Sequence, residues 1–314
     1  MNVIDSQDLT KVYSGGLRQR GIVALEAVNI SVAEGEIFGL LGPNGAGKTT
    51  FLKVVLGITR LTSGNVIVSG HKPTDARSRQ RLGYLPENHR FPSHLTGLGL
   101  MIATGRLFRM SAAETRSRAA NLLHLVGMDR WGDTKLKKYS KGMQQRIGIA
   151  QALVSDPDIL LLDEPTDGVD PVGKVEIREV LRTIRAEGKS IVLNSHLLSE
   201  VESVADRVAI LNRGRLVKTA TVEELTSRRS QFEIEAAIGN LLFSLPEGMG
   251  KIIKLSARGM IVELESEEDI NWVIDELRIK KIPIRMIRPM RITLEQSFIE
   301  TITTPEPPST EAGI

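Results

Sequence analysis

An α/β fold built on a mainly parallel sheet, with a small α+β unit after it, is what this sequence of 314 residues predicts. Three observations predict it. Residues 37–56 read as a buried strand, a glycine-rich loop and a helix. Two continuous apolar runs, Ile159–Leu162 and Ile191–Leu193, flank a helical stretch over Gly173–Glu187. Strand, helix and strand alternate there as they do where crossover helices cover a parallel sheet. Near residue 225 this pattern gives way to short alternating strands.

The loop is Gly42-Pro43-Asn44-Gly45-Ala46-Gly47-Lys48-Thr49, a complete G-x-x-x-x-G-K-[ST] phosphate loop. Ile37–Leu41 supplies the strand before it and Thr50–Leu56 the helix after it, the context the motif requires. Gly42, Gly45 and Gly47 let the backbone wrap closely, so that its N–H groups and the helix N-terminus meet anionic oxygens. Lys48 is expected to reach the β- and γ-phosphates of a nucleoside triphosphate, and the Thr49 hydroxyl to ligate Mg²⁺. Asn44, Ala46 and Thr50 complete the expected nucleotide contacts.

The other elements follow in chain order. Val23–Val32 alternates and predicts one half-exposed antiparallel strand, joined by Asn65–Gly70. Ser14–Gly21 is polar and glycine-rich, an exposed hairpin loop. Residues 95–138 read as helical, with Leu122, Leu123, Leu125 and Val126 on one face. Val208–Leu211 is a strand entering a turn at Asn212–Arg215. Beyond residue 225, strands are expected at Gln231–Ile238, Lys251–Leu255, Met260–Glu265 and Ile282–Ile287. Helices are expected at Asp269–Arg278 and Leu294–Thr301. Residues 303–314 carry three prolines and read as a disordered tail.

Composition narrows the function classes. With 41% hydrophobic and 25% charged residues the chain is of ordinary globular type. The absence of cysteine excludes disulfides, thiolate metal sites and a cysteine nucleophile, and it suits the cytoplasm. Met1–Asp5 has no basic, then apolar, signal pattern, and no apolar run approaches the ~20 residues that span a bilayer. If the protein works at a membrane, the span is expected from another chain. A net charge of +3 is too small to argue for nucleic acid, and none is expected as partner. The stretch Arg106–Arg146, however, holds ten Lys/Arg against three acids. It is either a solvated helical face or a surface facing polyphosphate or anionic lipid headgroups.

Two further segments carry chemistry. Ile159–Leu162 runs into Asp163-Glu164. A carboxylate at a strand end beside a phosphate loop can hold the Mg²⁺ hydration shell, the role expected of Asp163, and Glu164 would then activate the attacking water. Alone, an apolar strand followed by two acids is common. Tyr139-Ser140-Lys141-Gly142-Met143-Gln144-Gln145-Arg146 opens a helix with Ser140 as its N-cap, a second place where free N–H groups meet an anion. Ile191–Ser195 ends in His196, which at that sheet edge could donate to a γ-phosphate.

In this order and spacing the motifs resemble the ATP-binding cassette (ABC) ATPase family, over roughly residues 3–220. The resemblance implies a P-loop NTPase fold of the ABC ATPase type. Its parts would be a mainly parallel sheet core, an antiparallel β subdomain and a helical signature subdomain at about 88–155, all within residues 1–222. A small α+β domain at 225–302 would follow. It implies that Tyr13 stacks on adenine, that Gly42–Thr49 is Walker A and Asp163 Walker B, and that Glu164 is the catalytic base with His196 the switch histidine. Thr166–Asp170 would be the D-loop. Ser140, Lys141, Gly142 and Met143 would be the signature, contacting the nucleotide of a second, head-to-tail ATPase subunit. Three places depart from the family pattern: Lys141 and Met143 within the signature, Glu87 at the lid-loop glutamine position where it could approach Mg²⁺, and Asp167 opening the D-loop.

Tyr139–Met143, Gly83-Tyr84-Leu85-Pro86-Glu87 and the C-terminal unit look like the exporter ATPases that pair with a separate transmembrane permease; the resemblance implies that the permease docks on the basic stretch, with Arg116 and Arg118 as the expected docking charges. ATP and Mg²⁺ are then the implied cofactors, and the cytoplasmic face of the cell membrane the implied location. The alternative class is a soluble ABC ATPase of translation or DNA maintenance. Translation factors of that kind carry two cassettes, and this chain has one phosphate loop. The DNA-maintenance relatives insert a long coiled coil between Walker A and signature, for which the span here has no room. A catalytically dead binding module is opposed by Lys48, Asp163, Glu164 and His196 together.

Overall fold

The computed structural model describes residues 1–14, 21–238 and 243–303. By contacts the chain forms two compact units, Met1–Val222 with Phe298–Ile314, and Glu223–Ser297. The loop expected at Ser14–Gly21 and the tail expected at 303–314 lie outside the described residues, apart from Ser14, Gly21 and Thr303.

The first unit opens on β1 (Asn2–Tyr13), β2 (Ile22–Val28), β3 (Ser31–Ala33), β4 (Ile37–Leu41), α1 (Lys48–Val55) and β5 (Ser63–Val68). Then come α2 (Ala76–Gln80), β6 (Leu82–Leu85), α3 (Gly97–Leu107), α4 (Ala112–Leu125) and α5 (Lys141–Ala152). The run closes with β7 (Ile159–Asp163), α6 (Pro171–Ala186), β8 (Ser190–Asn194), α7 (Leu198–Val204), β9 (Arg207–Asn212) and β10 (Arg215–Thr221). A six-stranded sheet has the order β10-β9-β4-β8-β7-β6, parallel throughout except for antiparallel β10. Every residue of β4, β7 and β8 is buried, as expected of strands covered on both faces. Phe38 on β4 and Phe51 on α1 are fully buried in the core that joins this sheet to the antiparallel one. Burying each such side chain is worth about 1.5–3 kcal/mol.

The antiparallel sheet departs from the expected single strand over Val23–Val32. β2 and β3 are separate and pair with different stretches of β1, which also pairs with β5. The break has a local cause. Asp8 in β1 has φ 48°, so the ladder is interrupted there. Side chains fill in for the missing backbone partners: Asp8 N donates to the Asn29 side-chain oxygen at 2.8 Å, and Ile30 N to the Ser6 hydroxyl at 2.8 Å.

The expected helical stretch over 95–138 is two helices, α3 and α4, followed by two short 3₁₀ turns at Asp129–Trp131 and Leu136–Lys138. Thr96 caps α3 and Ser111 caps α4, each accepting from the backbone N–H three residues on. Gly127, at φ 64°, ends the regular helix, and the chain returns to bond Leu136 N to Leu95 O at 2.8 Å.

Arg118, one of the two expected docking charges, has partners within its own unit. Its guanidinium donates to Leu153 O at 2.8 Å and pairs with Asp156 at 2.8 Å, tying α4 to the turn after α5. Arg146 and Lys141 likewise face acids outside the basic stretch, Glu176 at 3.1 Å and Asp167 at 3.8 Å. Arg118→Glu is therefore expected to destabilise the first unit by about 1.5–3 kcal/mol, the scale of a lost charged hydrogen bond. A urea titration followed by tryptophan fluorescence reads it; an unmoved midpoint would show the tie to be idle.

α8 (Val222–Thr226) leads into the second unit, which holds β11 (Ser227–Ala236), β12 (Gly250–Ser256), β13 (Gly259–Leu264), α9 (Ile270–Ile279) and β14 (Ile284–Arg291); α10 (Leu294–Thr303) begins in this unit and ends in the first. The antiparallel sheet runs β12-β13-β11-β14. Alternate residues Phe232, Ile234, Val262 and Leu264 pack with Val273 and Leu277 of α9. This is the period-2 and period-3.6 patterning of a small α+β core. No described helix of the chain is long and apolar enough to cross a membrane.

Candidate functional site

The phosphate loop lies at the C-terminal end of β4. Two glycines in it are required by the backbone. Gly47 caps α1 at φ 103°, and a Cβ there would run into the Ala24 carbonyl oxygen and lie 2.8 Å from the Leu25 side chain. Gly45, at φ 80°, has open space where its Cβ would stand, so its backbone can be approached closely by a ligand. The loop is pinned from both sides: Ala46 N donates to Pro43 O at 3.1 Å, and Gly214 N to Ala46 O at 3.1 Å.

Lys48 is buried at 7% exposure and turns back on its own loop, donating to Gly42 O at 2.7 Å and Pro43 O at 3.3 Å. Burial lowers its pKa from the ordinary lysine value, and the carboxylates of Glu164, Asp163 and Glu87 oppose that shift. Glu87, Glu164, Asp167 and Lys48 line a cleft of about 370 Å³. Tyr84 on β6, beside Asp163 and Glu87, has its hydroxyl pKa pushed up to about 12, mainly by burial.

The ends of β7 and β8 assemble the acidic wall. The parallel register pairs Asp163 with Asn194. The Asn194 amide NH₂ donates to an Asp163 carboxylate oxygen. Burial raises the Asp163 pKa above the usual carboxylate range; the Asn194 hydrogen bond and Lys48 hold it down, and Glu87 and Glu164 add to the rise. Glu164 follows at φ 54°, an unfavourable conformation for a side-chain-bearing residue, and its N–H donates to Asn194 O at 2.8 Å. Its carboxylate is gripped by His196 Nδ1 at 2.8 Å, the His196 backbone N–H at 2.9 Å and the Ser195 hydroxyl at 3.3 Å. Consecutive residues of one strand end therefore hold consecutive acids of its neighbour.

Of the residues singled out in the sequence, Asn44, Gly45, Ala46, Gly47, Lys48, Thr49, Thr50, Glu87, Glu164, Asp167 and His196 line this cleft. Gly42 and Asp163 lie behind its wall, Asp163 at 2% exposure. Tyr13 is not on the cleft; it stands at the end of β1 opposite Ile22, which is, with the Lys11 ammonium 4.8 Å from its ring. Ser140, Lys141, Gly142 and Met143 are not on it either. Ser140 caps α5, its hydroxyl accepting from Met143 N at 3.3 Å. Lys141 reaches across to Asp167, so two of the positions that depart from the family pattern face each other at 3.8 Å. Both are about half exposed, and a pair of that kind adds little stability. Asn194 and Ser195 escaped the sequence reading, although they directly precede His196.

The donors fit a magnesium ion brought in with a nucleotide. No group of three or more His, Cys, Asp or Glu converges on one point among the described residues. Mg²⁺ characteristically takes one or two carboxylates plus substrate phosphates and not a full protein cage. Asp163, whose charge is disfavoured by burial, gains from a nearby cation, and the Thr49 hydroxyl lies on the cleft.

Comparison with known proteins agrees with this geometry. The ABC transporter family matches residues 25–167. An uncharacterised ABC transporter ATP-binding protein of Nostoc sp. is 42% identical over 242 residues, 76% of this chain and 72% of that protein. The Nod factor export ATP-binding protein I of Burkholderia orbicola is 35% identical over 87% of this chain and 86% of its own. Among solved structures, a dimeric post-hydrolysis state of the ATP-binding cassette MJ0796, bound to ADP and Pi, superposes with a TM-score of 0.63 at 28% identity. That match covers 70% of this chain and 98% of the other. With the phosphate loop, the β7 acids and the β8 histidine brought together as described, the chain belongs to the ABC transporter family and is an ATP-binding subunit of such a transporter.

Proposed function

We propose that this subunit binds Mg-ATP at the cleft, hydrolyses it between two protomers, and drives export through a separate membrane permease. The observation that carries the hydrolytic part is the triple grip on Glu164 beside the phosphate loop. A carboxylate held that firmly can take a proton from a water without changing its own position. Lys48 and the loop N–H groups neutralise and orient the phosphates, and Thr49 and Asp163 hold the Mg²⁺, which supplies charge stabilisation at the transferred phosphoryl group. His196, half exposed and bonded to Glu164, orients that base and offers its free ring nitrogen to the cleft. Glu87 adds a third carboxylate at the lid position.

Export is supported by the relatives, one of which is a Nod factor export ATP-binding protein. In this reading the subunit sits on the cytoplasmic face of the membrane, attached through its permease. The translation and DNA-maintenance class has no observation in its favour.

The signature residues lie off their own cleft, as a site shared between two protomers requires. A dimer in which one protomer carries Ser140→Arg and the other Lys48→Ala keeps one intact composite site. Such heterodimers are expected to regain part of the ATPase activity that both homodimers lack, measured on tandem-tagged, verified heterodimers. Absence of any recovery would sink the trans arrangement.

A further inference from the structure

Asn194 is 2% exposed and stands directly opposite Asp163 in the parallel ladder, so both side chains leave the sheet at the same level. The orientation of its amide is decided by chemistry. The Asp163 carboxylate offers only acceptors, so the NH₂ must face it and the carbonyl oxygen must turn away. That carbonyl oxygen is buried and has no donor in the protein. A buried acceptor left unpaired is unfavourable and calls for a reason. The reason lies in where the residue stands: Asn194 lines the cleft beside Glu164 and His196. A triphosphate carries only acceptors, as do the neighbouring carboxylates. The donor missing from the protein is therefore one that enters with the ligand, and a water molecule is the simplest such donor.

We propose that Asn194 is a positioning residue of the hydrolytic site: its NH₂ fixes the carboxylate orientation of Asp163, and its carbonyl oxygen receives a water when nucleotide and metal are bound. This rests on the assignment of Asp163 to the magnesium site. Partners that orient a metal-binding carboxylate typically matter by ~10–100-fold in metal affinity or activity. Replacing the amide by a methyl group leaves Asp163 free to turn and removes the acceptor at once. The nucleotide's own contacts with the phosphate loop stay in place.

The test is a Mn²⁺ titration of the full chain, followed by electron paramagnetic resonance, with a non-hydrolysable ATP analogue present. Asn194→Ala is expected to weaken Mn²⁺ binding by ~10-fold or more, to lower kcat and, by linkage, to raise the KM for Mg-ATP, while metal-free analogue affinity stays unchanged. Asn194→Ser keeps a hydroxyl that both donates and accepts, and is expected to fall between wild type and Asn194→Ala; it also serves where the alanine variant folds poorly. Unchanged Mn²⁺ affinity in both variants overturns the role of Asn194. So does an equal loss of metal-free analogue binding, which would mark general damage to the site. If the wild-type chain itself binds no Mn-nucleotide, the nucleotide reading fails and takes this one with it.

Discussion

Glu164→Gln is expected to hydrolyse Mg-ATP at least ~100-fold more slowly than the wild-type chain while binding it equally well, the scale on which a positioned general base acts. The side chain keeps its length and its place. His196 Nδ1 and the Ser195 hydroxyl meet one carboxylate oxygen, at 2.8 and 3.3 Å, and the His196 backbone N–H meets the other, at 2.9 Å, so the glutamine oxygen keeps the donors on one side while its NH₂ faces those on the other. What is lost is the second carboxylate oxygen and its ability to accept a proton. The backbone at Glu164 stays at φ 54° whichever residue occupies it, so the strain of the position is unchanged. The slow variant should collect as an ATP-bound dimer, visible in size-exclusion chromatography run with and without ATP. Turnover at the wild-type rate would remove Glu164 as the base and leave the grip on it without a catalytic purpose.

Lys48→Ala should fail earlier, at binding, by about 3 kcal/mol if it resembles other preorganised phosphate donors. That is a loss of roughly two orders of magnitude in affinity. The reasoning is electrostatic. Glu164, Asp163 and Glu87 all act on Lys48, and the cleft must still admit a polyanion. With the ammonium gone, three carboxylates face the phosphates, and beside the metal only loop N–H groups and the α1 N-terminus oppose them. The Gly42 and Pro43 carbonyls that Lys48 now engages are freed to solvent or to main-chain partners, so the loop itself should survive. Isothermal titration with ATP reads the affinity, and far-ultraviolet circular dichroism checks the fold. Unchanged affinity would contradict the assignment of the loop to the phosphates.

The strands that end at the site were legible because they are short, wholly apolar and buried on both faces. β4, β7 and β8 agree with Ile37–Leu41, Ile159–Leu162 and Ile191–Leu193 to within a residue or two at each end. β6 was not, since four residues have no periodicity to read; pairing with β7 makes it a strand. The split of β2 from β3 was hidden for a different reason. It depends on Asp8 and Ser6 in another strand, and alternation along Val23–Val32 carries no trace of them. Arg118 looked like an open charge because a sequence does not show which cations meet acids from other segments; Asp156 is 38 positions away.

By itself the sequence determined the phosphate loop, the two acids at the end of β7, the Ser140 cap and the histidine that closes β8. Each depends on residues adjacent along the chain, where backbone geometry and local hydrogen bonding set the outcome. Tertiary structure alone decided which of these share a cleft. It set Tyr13 beside the cleft and not on it, matched Lys141 with Asp167, and aligned β7 with β8 so that Asn194 meets Asp163 and Ser195 and His196 meet Glu164. The physical reason is register: a shift of one position between those two strands would turn each of these side chains to the opposite face of the sheet.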